Sequence, residues 1–71
     1  MDDNYFIKIG ERVKEFREKN NLSQRQLSKK SKVDYSTINR LESRKSNNIT
    51  VGTLLKLSKA LKIKMANLVR D

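Results

Sequence analysis

Residues 24–41 read Gln24-Arg25-Gln26-Leu27-Ser28-Lys29-Lys30-Ser31-Lys32-Val33-Asp34-Tyr35-Ser36-Thr37-Ile38-Asn39-Arg40-Leu41, and this stretch decides the fold. Leu27, Val33, Ile38 and Leu41 stand at the spacing of two short helices that cross steeply over a small shared apolar interior. Ser23-Gln24-Arg25-Gln26 is a capping box, in which the Ser23 hydroxyl accepts from the Gln26 amide and the Gln26 side chain reaches back. It starts a helix over about residues 24–30. Ser31-Lys32-Val33 forms a tight connection, and Asp34 is a good N-cap for a second helix over about residues 35–43. The outer face of that second helix carries Tyr35, Ser36, Asn39 and Arg40, with Thr37 on its edge. All of these are side chains that can hydrogen-bond to bases or phosphates, and none is an acid that phosphates would repel. A helix is about as wide as the major groove of DNA, so this face suits a reader of base edges.

Working outward, apolar residues recur at three- and four-residue steps and never alternate long enough for a strand. Phe6, Ile9, Val13 and Phe16 make the stripe of a first helix over about residues 4–19, with Asp3 or Asn4 near its N-cap and a break at Asn20-Asn21. A polar loop, Arg44-Lys45-Ser46-Asn47-Asn48, follows the central pair of helices. Thr50 caps a fourth helix, in which Val51, Leu54, Leu57 and Leu61 keep helical spacing and Leu55 lies on a neighbouring flank. Ile63 closes the next connection, and Met65 to Val69 reads as a short fifth helix carrying Leu68. The expectation is an all-α, compact five-helix bundle forming a single domain over residues 1–71, with its helix-turn-helix at about 24–43.

At 71 residues the chain has room for one small core, and it contains neither Cys nor His to staple that core by disulfide or structural zinc. Its formal charge of +9, from 17 Lys+Arg against 8 Asp+Glu, favours a polyanionic partner, either nucleic acid or an anionic membrane surface. A solvated, lysine-rich surface is the bland alternative, and Lys56, Lys59, Lys62 and Lys64 read as such a face. Met1-Asp2-Asp3-Asn4 is acidic where a secretory leader is basic, and the apolar runs are too short for a membrane span, so a cytoplasmic protein is expected. Without His, Cys or a glycine-rich phosphate loop, and with only scattered carboxylates, no enzyme chemistry is expected, and no cofactor or small-molecule ligand.

Gly10-x-Arg12-Val13, Phe16-Arg17, Leu22-Ser23-Gln24, Leu27, Val33, Ser36-Thr37-Ile38, Leu41-Glu42, Thr53-Leu54-Leu55-Lys56-Leu57 and Lys59-Ala60-Leu61 form an ordered set. In order and spacing this set resembles the Cro/repressor-type, XRE-like helix-turn-helix regulators of phages and bacteria, over about residues 9–69. The resemblance implies a lambda-repressor-like DNA-binding domain. It implies that Gln24, with Ser23 beside it, holds a phosphate at the N-terminus of its helix. Tyr35, Ser36, Thr37, Asn39 and Arg40 would face the major groove, with Arg40 the candidate for a bidentate guanine contact. Arg44, Lys45, Asn47 and Asn48 would line the DNA backbone, and Arg17 and Glu42 would pair between the first and third helices. Other readings stay open at this level. Tyr35 can serve as an aromatic lid on the preceding helix, Arg40 can pair with an acid, and Asn47 and Asn48 can be turn residues.

Three positions depart from the family pattern: Ser28 replaces a usual alanine, and Lys32 and Arg44 replace usual glycines. The glycine at position 32 serves a left-handed turn, so Lys32 either tolerates strain or the turn differs. Arg44 offers an extra phosphate contact. One recognition helix spans too few base pairs to specify a site, so the resemblance implies a homodimer on an inverted repeat of double-stranded DNA. Leu55, Met65, Leu68 and Val69 are the candidates for its interface, with membership of the core as the other reading of each. Such a regulator represses by excluding polymerase, or activates from a site just upstream. The alternative is an antitoxin or protein-interaction module on the same fold. Asn47-Asn48-Ile49-Thr50-Val51 resembles restriction–modification controllers, but prophage repressor, controller and antitoxin are not separated by the residues alone.

Overall fold

The computed structural model describes residues 3–43 and 49–69, with side chains from Phe6 onward in the first helix. Five helices follow one another: α1 (Asp3–Lys19), α2 (Gln24–Ser31), α3 (Tyr35–Glu42), α4 (Val51–Leu61) and α5 (Ala66–Val69). No strand occurs among the described residues. The architecture is all-α, as the apolar spacing predicts.

The core is the set of residues whose helical spacing turns them inward. Ile9 and Val13 of α1, Leu27 of α2, Ile38 and Leu41 of α3, Leu54, Leu57 and Leu61 of α4, and Leu68 of α5 are buried, with Val33 from the α2–α3 turn. Phe6, Phe16, Leu22, Ile49, Ala60, Ile63, Met65 and Val69 pack against this cluster from its rim. α1 lies against α3 and α5, while α2 lies against α3 and α4. α3 is thereby supported from behind by two helices and keeps one face open. Two buried hydroxyls are satisfied locally: Ser31 Oγ accepts from the Val33 amide at 3.1 Å, and Ser58 Oγ donates to the Leu55 carbonyl at 2.9 Å.

The helix starts follow the capping residues. Ser23 Oγ accepts from Gln26 N at 3.1 Å and Gln26 Oε1 accepts from Ser23 N at 2.7 Å, completing the capping box of α2. Thr50 Oγ1 accepts from Thr53 N at 3.2 Å and caps α4. Asp34 holds the N-cap position of α3, but its carboxylate makes no bond to the first turn. Its backbone carbonyl still accepts from Ile38 N at 3.1 Å, so α3 starts on its backbone alone. The expected cap at Asp3 or Asn4 lies outside the described side chains. Val51 is also corrected: it is 62 % exposed, because as the first residue of α4 it projects past the end of the core.

The chain leaves α1, α2 and α4 through a left-handed residue that is not glycine, whereas Ser43 after α3 keeps φ at −89°. Asn21, Lys32 and Lys62 have φ of 58°, 65° and 59°. At Lys32 the usual turn is therefore kept and its strain tolerated. Side chains pin it from both sides: Ser28 Oγ donates to the Val33 carbonyl at 2.6 Å, while the Val33 amide donates to Ser31 Oγ. The serine that departs from the family's alanine thus ties α2 to the turn. Lys32→Gly is expected to stabilise the protein by about 0.5–1 kcal/mol, since relief of left-handed strain (about 1–2 kcal/mol) exceeds glycine's extra chain entropy. Thermal denaturation should show a midpoint a few degrees higher. An unchanged or lower midpoint would mean that Lys32 carries no strain.

Candidate nucleic-acid interface

α3 is eight residues long, and an α-helix with its side chains is about 10–12 Å across, close to the width of the major groove. Ile38 and Leu41 anchor its inner side, being 0 % and 2 % exposed. That leaves Tyr35, Ser36, Asn39 and Arg40 on the surface, with Thr37 half-buried at the edge. All five sequence-selected reading residues therefore share one helix, four of them on its exposed face. Among the described residues no carboxylate lies within ion-pair distance of Arg40, so its guanidinium is uncommitted.

Tyr35 combines two of its readings. Its ring is 38 % exposed, and the Arg25 guanidinium stacks on it with 4.5 Å between Cζ and the ring centroid. Arg25 was not singled out in the sequence. It is the second residue of α2, and its partner stands ten positions later on a different helix, so no helical period connects the two. The pair places a cation beside the N-terminal end of α3.

Behind this face, Arg17 and Glu42 form the junction between α1 and α3. Arg17 Nε and Nη2 donate to the two carboxylate oxygens of Glu42, each at 2.8 Å, in a bidentate fork. Arg17 Nη1 also donates to the Leu22 carbonyl at 2.7 Å, which ties in the α1–α2 turn. The two side chains are 11 % and 3 % exposed. The hydrogen bond to Glu42 pushes the Arg17 pKa up, against the opposing effect of burial, so the guanidinium stays charged.

Gln24, the first residue of α2, leans onto this pair: its Nε2 donates to Glu42 Oε1 at 3.1 Å, and its Oε1 accepts from Asn39 Nδ2 at 3.2 Å. Lys14, Arg17, Gln24, Asn39, Glu42 and Ser43 together line a shallow cleft at the meeting point of α1, α2 and α3. Ser23 is exposed, and its Oγ accepts the Gln26 amide in the capping box, leaving its O–H as a donor. Arg44, Lys45, Asn47 and Asn48 lie outside the described residues.

Of the residues selected for a dimer face, Leu55 is 43 % exposed on α4, and Met65 and Val69 are half-buried. Leu68 is corrected to a core residue: it is 0 % exposed, because the single turn of α5 points it inward against α1. Val51, four residues before Leu55 on the same side of α4, is the exposed apolar residue that spacing alone placed in the core. Lys56, Lys59, Lys62 and Lys64 are all exposed.

Two supported helices, a left-handed turn and an open polar face on the second are the makings of a helix-turn-helix. A family model described as Helix-turn-helix matches residues 13–68. The chain belongs to that family. It is a helix-turn-helix DNA-binding regulator of the XRE type. Among solved structures, it is similar to the restriction-modification controller protein C.AhdI from Aeromonas hydrophila, at 33% sequence identity and a TM-score of 0.82. The similarity covers 89% of this chain and 94% of C.AhdI. No curated protein matches the sequence. The family match takes in α2, α3 and α4 whole, and so the entire open face of this helix-turn-helix regulator.

Proposed function

We propose that this protein is a sequence-specific transcriptional regulator that binds an inverted-repeat operator as a homodimer and represses by excluding polymerase. The observation that carries the reading is the exposed face of α3. It holds Tyr35, Ser36, Asn39 and Arg40 on a helix fixed from behind, with Arg40 free of any acidic partner among the described residues. Arg40 reads guanine through its bidentate fork, and Asn39 and Ser36 read neighbouring bases. Gln24 and Ser23 hold a phosphate at the start of α2, and Arg44, Lys45, Asn47 and Asn48 follow the backbone beyond α3. The whole reading unit acts as one DNA-binding domain over residues 1–71, working in the cytoplasm.

Val51 and Leu55 support dimerisation, being two exposed apolar side chains one helical turn apart on α4. Met65 and Val69 extend the proposed contact from the rim. The longest dimension of the molecule is 30 Å. In such a dimer the two α3 helices would stand one DNA turn apart, about 34–36 Å. Similarity to C.AhdI, a restriction-modification controller, favours control of a restriction–modification system over the prophage-repressor and antitoxin readings.

Selection of bound duplexes from a random pool at near-physiological salt is expected to enrich an inverted repeat. Arg40→Ala should relax one guanine position in each half-site, a loss of about 1–3 kcal/mol of discrimination. No enrichment, with binding that disappears as salt rises, would reduce the interaction to charge alone. A monomer both free and on DNA, by sedimentation, would overturn the dimer.

A further inference from the structure

The hydrogen bonds that run from Arg17 to Asn39 have a direction, and it reaches the DNA-facing surface. Glu42, held by Arg17 through both carboxylate oxygens, only accepts. Gln24 must therefore turn its NH2 group to Glu42 Oε1, at 3.1 Å, and its carbonyl away. That carbonyl also only accepts, so Asn39 must turn its Nδ2 towards Gln24, at 3.2 Å. An isolated side-chain amide flips between two orientations with little difference in energy. Here each link removes the choice from the next.

We propose that Gln24 is a specificity-determining positioning residue, which transmits the polarity of the Arg17–Glu42 pair to Asn39 and so commits Asn39 to adenine. One N–H of Asn39 is spent on Gln24. The other N–H and Oδ1 remain, a donor beside an acceptor, and these complement the N7 acceptor and N6 donor on the major-groove edge of adenine. The second N–H of Gln24 is left for a phosphate, so one side chain couples backbone grip to base choice. The inference rests on α3 reading DNA as proposed above.

The test is random-duplex selection with sequencing, run in parallel on the unaltered protein, Asn39→Ala, Gln24→Met and the double variant, each first shown by circular dichroism to be folded. The unaltered protein should prefer adenine at one position per half-site. Asn39→Ala should lose that preference by about tenfold. Gln24→Met should lose it at the same position by several-fold, on top of weaker binding to every sequence, and the double variant should lose no more there than Asn39→Ala. If Gln24→Met weakens all sequences equally and keeps the adenine preference, the relay is refuted while the DNA-reading face stands. If Asn39→Ala and Gln24→Met share a lost position that is not adenine, the assigned polarity is refuted. If the unaltered protein enriches no motif, the underlying reading falls, and the relay with it.

Discussion

Gly10→Ala is expected to destabilise this protein by roughly 3 kcal/mol or more, although alanine is the better helix former by about 1 kcal/mol. Gly10 is buried in the middle of α1, where the helix meets the end of α3 backbone to backbone. An added Cβ would run into the carbonyl oxygen of Leu41, with the carbonyl carbon 2.9 Å away. Nothing flexible is there to yield. Leu41 is itself a core residue, and the next residue, Glu42, is held by Arg17. The only relief is to move α3 away from α1, which opens the core along Ile9, Val13, Ile38 and Leu41. A domain of this size has a total stability of about 4–10 kcal/mol, so the substitution removes a large share. Chemical denaturation measures it directly. A Gly10→Ala protein as stable as the parent would show that α1 and α3 can separate without loss, and that the close approach is incidental.

Glu42→Ala is the second large effect, expected at about 2–3 kcal/mol for a pair that is partly buried. The loss is greater than the net worth of the ion pair, because the Arg17 guanidinium stays charged and largely shielded from water, with the Leu22 carbonyl its remaining hydrogen-bond partner among the described residues. Gln24 loses its acceptor at the same time. The contrast that isolates this cause is Arg17→Met combined with Glu42→Leu, which removes both charges and keeps the volume. That double variant should recover most of the stability, since a buried pair replaced by apolar residues is often neutral. If both single and double variants are equally unstable, the loss lies in packing between α1 and α3 and not in a stranded charge. Thermal melts of the three proteins separate the outcomes.

What the sequence made legible was what is local. The capping box at Ser23 and Gln26, the stripe of α1 and the run of leucines in α4 are each written within one helix and reappear as drawn. The ends of elements were less legible. Val51 has the spacing of a core residue, yet the first position of a helix overhangs the layer beneath it. Leu68 sits in a helix of four residues, too short for any period to say which side is buried. Asp34 is a favoured capping type whose side chain makes no cap bond. The arrangement of the candidate site was least legible, because it depends on how α2 crosses α3. Arg25 meets Tyr35, and Gln24 meets Asn39, only through that crossing. Helical spacing supplied the residues of the face and the family resemblance their expected roles, but neither supplied the bonds between them.

The glycine-free helix exits at Asn21, Lys32 and Lys62 bear on the lifetime of the protein in a cell. If each gives up about 0.5–1 kcal/mol relative to a glycine exit, together they amount to roughly 2 kcal/mol, or about a thirtyfold larger unfolded population at any moment. Proteases act on that population, and protein abundance follows it. None of the three positions is on the exposed face of α3, so substitutions there would change how long each molecule survives while leaving its choice of DNA alone.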